Sequence, residues 1–390
     1  MQQAAIFDCD NHYYEALDAF TRHVPARMRS RCVEIAEVDG RTRHVVAGKV
    51  DYSVGNPLFD PVAKPGVLHD YYKGNPRGMR ASDMMRGGLE PQPAAYRDPR
   101  ARLETMDAQG LEAVWLFPTL GVLYEELVKH DTEAVTAMFE GFNRWLDEDW
   151  GLSCEGRIFA APYISLADVS WAVRELEWAL ARDARMVVMR PAAVWTEAGP
   201  RSPADAMFDP FWARVNEAGI TVVAHTGNSG YTNNGYARDS FGRASVGMSS
   251  RPSVKGLTLE RAAHDFLLTL AFDKLFERFG SLRVASIENG SGFLGPLLRQ
   301  LENAKVRNPW HFDEDPVALF REHVWINPFW EDDIAEVIDL AGPERVIFGS
   351  DWPHMEGLPD PAAIEGEIAD LDERTRALFL AENTRALNQH

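Results

Sequence analysis

Eight short apolar runs are spaced along the chain, most of them followed by a longer stretch with helical periodicity. This alternation is what most limits the possible folds. The runs are Ala4–Cys9, Leu111–Phe117, Gly156–Pro162, Arg185–Arg190, Ile220–His225, Leu282–Ile287, Val324–Asn327 and Arg345–Gly349. Helical spacing fills Pro99–Gln109, Val135–Trp150, Ala167–Ala184, Asp209–Glu217 and Ala262–Phe279. The runs are apolar throughout rather than alternating, as expected of parallel strands covered on both faces. Strands alternating with helices give βα units and a parallel sheet. Eight units predict an α/β fold: a single closed (β/α)8 TIM-type barrel using all of residues 1–390. Hydrophobic residues make up 45% of the chain, enough for such a core. The competing architecture is an open doubly wound sheet, but no glycine-rich phosphate loop follows the first run.

Two stretches interrupt the alternation. Thr21–Tyr96, rich in Gly, Pro, Arg and Asp, reads as a long arm inserted after the first strand. It is suited to a lid or to a contact within a homodimer or higher homo-oligomer. Asn228–Gly256, rich in Gly, Ser and Asn, follows the fifth strand. In barrels the loops after the strands build the active site, and loops this long are uncommon without such a purpose. The net charge of −19 repels nucleic acid and anionic membrane surfaces, and neither is expected as a partner. It leaves room for an anionic substrate, because a buried cation dominates the field locally. Cys9, Cys32 and Cys154 are too few and too scattered for a disulfide framework or a thiolate zinc site. No secretory pattern opens the chain and no apolar run approaches about 18 residues, so a cytoplasmic protein is expected.

Chemistry concentrates where the strands end. The first run leads into Asp8-Cys9-Asp10-Asn11-His12. Alternate residues of a strand share a face, so Asp10 and His12 are candidates to ligate one ion, with Asp8 a deeper hydrogen-bonded support. His225 ends the fifth strand and Asp351 follows the eighth. Singly, each has an ordinary structural explanation: a satisfied core histidine, or a turn aspartate before proline. Jointly, they place four ligand-type side chains over one pore. Carboxylate oxygens with imidazole nitrogens suit Zn²⁺, Mn²⁺ or Fe²⁺, with one divalent Zn²⁺ or Mn²⁺ expected. Glu288 ends the sixth strand and can be a fifth ligand, a general base or a partner orienting His225. Arg190 has the fork geometry to clamp a carboxylate, or equally to pair with an acidic neighbour. Thr119, Asn327 and His354 also stand at strand ends. Trp115, Phe117, Trp325 and Trp352 can supply an aromatic wall, with at least half of them expected in the core. His69, His130, His311, His323 and His390 read as surface or structural, and His264 as the start of an apolar helix.

The stretches DCDNHYYE, RLETMDAQGLEAVWLFPT, VVAHTG, FERFGSLRVASIENGSG and ERVIFGSDWPHMEG, in this order, resemble the amidohydrolase superfamily. The likeness is to its decarboxylase-like branch, with aminocarboxymuconate-semialdehyde decarboxylase and the hydroxybenzoate decarboxylases. It covers nearly the whole chain from Ile6. The resemblance implies metal ligands at Asp10, His12, His225 and Asp351. Two positions depart from the branch: its usual first ligand, His or Glu, is Asp10 here, and its sixth-strand histidine is Glu288.

The expected activity is that of a metal-dependent decarboxylase acting on a small aromatic or unsaturated carboxylic acid. Asp351, Glu288 and His225 are its catalytic residues, and Arg190, Asn327, His354 and Trp352 its substrate contacts. A metal-dependent hydrolase of a C–C, amide or ester bond is the alternative, because Glu288 changes the sixth-strand chemistry. A non-catalytic binding barrel that has lost its metal is the remaining one.

Overall fold

The computed structural model describes residues 5–239 and 254–389. Its barrel strands fall into two hydrogen-bonded groups, parallel throughout. Ile6–Tyr13, Leu111–Pro118 and Ile158–Ala160 form the first. Met186–Met189, Thr221–His225, Arg283–Ile287 and Val324–Ile326 form the second. Backbone bonds join them into a cylinder. Val188 N–H donates to Pro162 O (3.0 Å) and Ile164 N–H to Val188 O (2.9 Å). On the far side, residues 346–349 stand in the eighth position. Ile347 N–H donates to Ile326 O (3.0 Å) and Cys9 N–H to Phe348 O (2.8 Å). Asp351 N–H to Asp10 O and His12 N–H to Trp352 O, both 2.8 Å, complete the closure.

The expected α/β barrel is therefore the fold, with local differences. The first strand extends beyond Cys9 to Tyr13, carrying Asp8, Asp10 and His12 inside the ladder. The helix expected over Ala262–Phe279 is two, Thr258–Phe272 and Leu275–Arg278. It breaks at Lys274, whose φ of 58° is left-handed. His264 lies within the first of these rather than at its start, 2.7 Å from Asp265 Oδ1. Helix Pro99–Gln109 shows why such boundaries are sharp elsewhere: Asp98 caps it by accepting from Ala101 N–H (2.8 Å), and Gly110 ends it at φ 71°.

The arm after the first strand folds back on the mouth. Its sheet pairs Val33–Val38 with Arg41–Val46, and Val62–Ala63 pairs with Leu89–Glu90. Gly66 N–H donates to His354 O (3.3 Å) and Leu68 N–H to Met355 O (2.9 Å), so the arm lies against the loop after the eighth strand. In the Asn228–Gly256 stretch, residues 240–253 lie outside the described residues, as does His390. No helix among the described residues is long and apolar enough to cross a membrane.

Candidate metal centre

The first strand is bulged where the chemistry begins. Three steps from Asp8 to Asn11 match two on its neighbour, from Val114 to Leu116. Bulges re-aim side chains beside functional sites. Asp8, before the bulge, is a support. It accepts from Ser350 N–H (2.9 Å), Ser350 Oγ–H (2.5 Å), Asn11 Nδ2–H (2.9 Å) and Asp10 N–H (3.1 Å). Burial still pushes its carboxyl up to about 6 against those bonds. Gly349 lets the eighth strand approach, since a Cβ there would strike the Cβ of Asp10.

Beyond the bulge, side chains from four strands converge. His12 Nε2 lies 3.2 Å from Asp10 Oδ1, 3.3 Å from Glu288 Oε2 and 3.4 Å from Asp351 Oδ1. His225 Nε2 lies 3.5 Å from Asp10 Oδ1 and 3.4 Å from Glu288 Oε2. Donor atoms around a tetrahedral ion with bonds of about 2.1 Å stand about 3.4 Å apart. His225 Nδ1 is 2.9 Å from Thr226 O, which can only accept, so Nδ1 carries the hydrogen and Nε2 presents its lone pair to the cluster. Asp10 Oδ1, His12 Nε2 and His225 Nε2 are shut from solvent without a hydrogen-bond partner among the described residues. Orphaned buried donors at coordination spacing fit a divalent cation.

The grouping differs in one respect from the expected ligand set. Asp10, His12, His225 and Glu288 form one cluster, and Asp351 belongs to an adjoining one with His12, Glu288 and His354. Asp351 is instead held by His354, whose Nδ1 is 2.6 Å from Asp351 Oδ1. Glu288 and Asp351 both adopt left-handed backbone, at φ 54° and 56°. Such strain in non-glycine residues collects at functional sites.

The electrostatics follow from crowded acid groups. Burial, then the charges of Glu288 and Glu356, drive the Asp351 carboxyl well above its ordinary range. Burial and the neighbouring His12 and His225 push His354 the opposite way. For His12 burial favours the neutral ring, but Asp10 and Glu288 together outweigh it and raise it to about 10. A pocket that grips a proton this firmly is one a cation can occupy in its place.

Several expected contacts are engaged otherwise. Arg190 lies 2.6 Å from Glu126 Oε2 and 3.2 Å from Glu125 Oε2, and donates to Asn228 O (2.7 Å). The acidic helix after the second strand has taken the fork. Asn327 is a brace: its Oδ1 accepts from Glu288 N–H (3.2 Å) and its Nδ2 donates to Pro328 O (3.1 Å). Trp352 packs edge-on to Tyr96 and beneath the Arg102 guanidinium, in a cluster with Tyr14, Val62 and Ala95. Trp115 is core, its Nε1 donating to Asn388 Oδ1, and Trp325 donates to Glu344 O. Of the aromatic set, Phe117 flanks the cluster, 4.7 Å from the His225 ring. His69 stacks on Trp330, His130 lies against Trp195, and His311 and His323 bond backbone carbonyls.

Sequence reasoning missed Glu356. Burial and Glu288 raise its carboxyl to about 7. Its only signal was its place in the strand-eight loop, two residues past His354.

The sequence model of the amidohydrolase family matches residues 7–387. An amidohydrolase from Mycobacterium avium subsp. paratuberculosis K-10 is 38% identical, with full coverage of both chains and a TM-score of 0.93. The 5-carboxyvanillate decarboxylase of Sphingomonas paucimobilis is 16% identical with a TM-score of 0.63, covering 98% of each chain. A dihydroxybenzoic acid decarboxylase from Polaromonas sp. JS666, solved with manganese and 2-nitroresorcinol, is 17% identical with a TM-score of 0.57. That match covers 83% of this chain and 93% of the other. No curated protein matches. Because the matched stretch spans every barrel strand and every residue of the cluster, the chain belongs to the amidohydrolase family and is an enzyme of the amidohydrolase superfamily.

Proposed function

We propose that the protein is a metal-dependent decarboxylase of a small aromatic or unsaturated carboxylic acid. The observation that carries this is the convergence of orphaned donors on Asp10, His12 and His225 beside an Asp351–His354 pair. The structural likeness to decarboxylases of hydroxylated benzoic acids supports it. Asp10, His12, His225 and Glu288 would hold one divalent ion, with Asp351 at its edge. When bound, the ion polarises a carboxylate or carbonyl oxygen of the substrate. Manganese in the Polaromonas enzyme favours Mn²⁺, while the mixed nitrogen and oxygen donors suit Zn²⁺ equally.

Asp351 does the proton work. As an acid it gives its proton to the carbon bearing the carboxylate. A π pair of the unsaturated system forms the new C–H bond; the C–C bond then breaks, its electrons restore that π bond, and CO₂ leaves. Glu288, strained and braced by Asn327, positions the substrate. His354 holds the Asp351 carboxyl in place, and Phe117 offers an apolar edge beside the ligands.

A hydrolase is the second reading, favoured by the carboxylate that Glu288 brings to the cluster. In it Asp351 takes a proton from the attacking water instead. Metal analysis of purified protein, followed by turnover of hydroxylated benzoates and ring-cleavage acids in ¹⁸O-water, tests both. CO₂ release supports decarboxylation and ¹⁸O in the organic product supports hydrolysis. Protein that neither contains nor rebinds a divalent metal overturns both.

A further inference from the structure

Thr119 directly follows the second barrel strand, and neither the ligand set nor the proton step uses it. Its hydroxyl oxygen lies 2.9 Å from His354 Nε2 and 2.8 Å from Tyr13 O. A hydroxyl has one proton, and the Tyr13 carbonyl can only accept. That proton goes to Tyr13, so Oγ1 must accept from His354 Nε2–H. The opposite nitrogen, Nδ1, is then turned to Asp351 Oδ1 at 2.6 Å.

Among the described residues, the ring contacts of His354 do not choose between its two orientations. The His12 ring lies against it with centroids 4.0 Å apart and planes tilted by 30°, and Tyr14 is tilted at 5.8 Å. Both contacts tolerate a half-turn that exchanges nitrogen for carbon at each edge. Only the hydrogen-bonding ends distinguish the orientations. Thr119 is itself pinned, because the next two amides, Leu120 and Gly121, donate to Glu15 Oε1 at 2.7 and 3.0 Å.

We propose that Thr119 is a positioning residue: its hydroxyl anchors His354 Nε2–H and so fixes the ring with Nδ1 against Asp351. This rests on the reading of Asp351 as the proton-transfer group. It assigns to a residue just past strand two the orientation of a strand-eight pair.

The test compares Thr119→Val, which keeps the branched shape and removes the hydroxyl, with Thr119→Ser, which keeps the hydroxyl. Protein labelled with ¹⁵N-histidine, with the His354 signals assigned through His354→Asn, reports which ring nitrogen carries hydrogen. The expected result is a protonated Nε2 in the parent and in Thr119→Ser, and loss of that pattern in Thr119→Val. On an acid that is turned over, Thr119→Val lowers kcat about 10–100-fold, the usual effect of removing an outer partner. KM and metal content hold, and Thr119→Ser recovers most of kcat. An unchanged ¹⁵N pattern in Thr119→Val overturns the proposal, as does a serine variant as impaired as the valine one. If no acid is turned over, the reading of Asp351 fails, and the ¹⁵N comparison still decides the anchor. Thr119→Ala is read in the same way if the valine variant does not fold.

Discussion

The two sides of the barrel mouth use the same residue types and come out opposite. Around strands two to four the charges are matched. Arg190 holds Glu125 and Glu126, Lys129 reaches Glu126 at 2.6 Å, and Glu125 accepts from Tyr163 Oη–H and Ser165 Oγ–H, both at 2.6 Å. Around strands one, five, six and eight they are not. Among the described residues, Asp10, Glu288, Asp351 and Glu356 crowd around histidines, and several donor atoms have no hydrogen-bond partner. Buried charge that is paired in place is scaffold. Buried donors left unpaired and pointed at one spot are where binding and chemistry are to be sought.

The sharpest way to break this contrast is one substitution on each side. Asp351→Asn keeps shape and hydrogen bonding but cannot move a proton. Turnover should fall by about 10²–10⁴-fold, with metal content and folding intact. Steady-state kinetics showing less than a tenfold loss would remove Asp351 from the reaction. Arg190→Met acts through stability instead. It takes the guanidinium from Glu125 and Glu126, leaving Glu126 to Lys129 and Glu125 to two hydroxyls, and breaking a buried pair from one side costs about 3–5 kcal/mol. Urea unfolding reads this directly. A change below about 1 kcal/mol would mean that the paired side is not scaffold.

How far the sequence revealed this depends on whether a residue acts along its own strand or across the barrel. Apolar runs and strand ends are local, so the barrel and the set Asp10, His12, His225, Glu288 and Asp351 were legible. Burial of a strand fixes where its last polar residue emerges. Partners that arrive from another loop leave no local trace. Arg190 was open between substrate and ion pair because Glu125 and Glu126 stand 64 to 65 positions earlier in the chain. Asn327 and Trp352 sit at strand ends like the ligands, yet the backbone of Glu288 and the Arg102–Tyr96 cluster claim them. Glu356 was hidden because a loop residue carries no periodicity to say which way it faces. The bulge after Asp8 was equally invisible, since strict alternation predicts the same faces without it.

Metal titration sharpens the comparison on the acidic side alone. A ligand that binds only the folded state stabilises it by about 4 kcal/mol at a thousandfold excess over Kd. Zn²⁺ or Mn²⁺ should therefore raise the unfolding midpoint of the parent and of Arg190→Met alike, and leave His225→Ala where it was. Equal stabilisation of His225→Ala, measured by thermal unfolding with and without chelator, would place the ion elsewhere.

The smallest effect falls where the two sides meet. Glu15 accepts two amides on Oε1, while its buried Oε2 has no partner, and burial lifts its carboxyl from an ordinary 4.5 to about 7. The fold therefore holds this proton more tightly than the unfolded chain does. Its contribution is fully present below pH 4.5 and is lost as the pH rises through 7. At about 1.4 kcal/mol per pH unit the loss amounts to about 3 kcal/mol. Glu15→Gln keeps a carbonyl oxygen for the Leu120 and Gly121 amides but cannot ionise. It should match the parent at low pH and exceed it in stability above pH 7, with the gap opening between. Urea unfolding across that range measures the difference between the two proteins, in which the other acids cancel. A gap that stays constant with pH would show that Glu15 is already ionised in the fold, and that an unmatched charge is tolerated on the loop bracing Thr119.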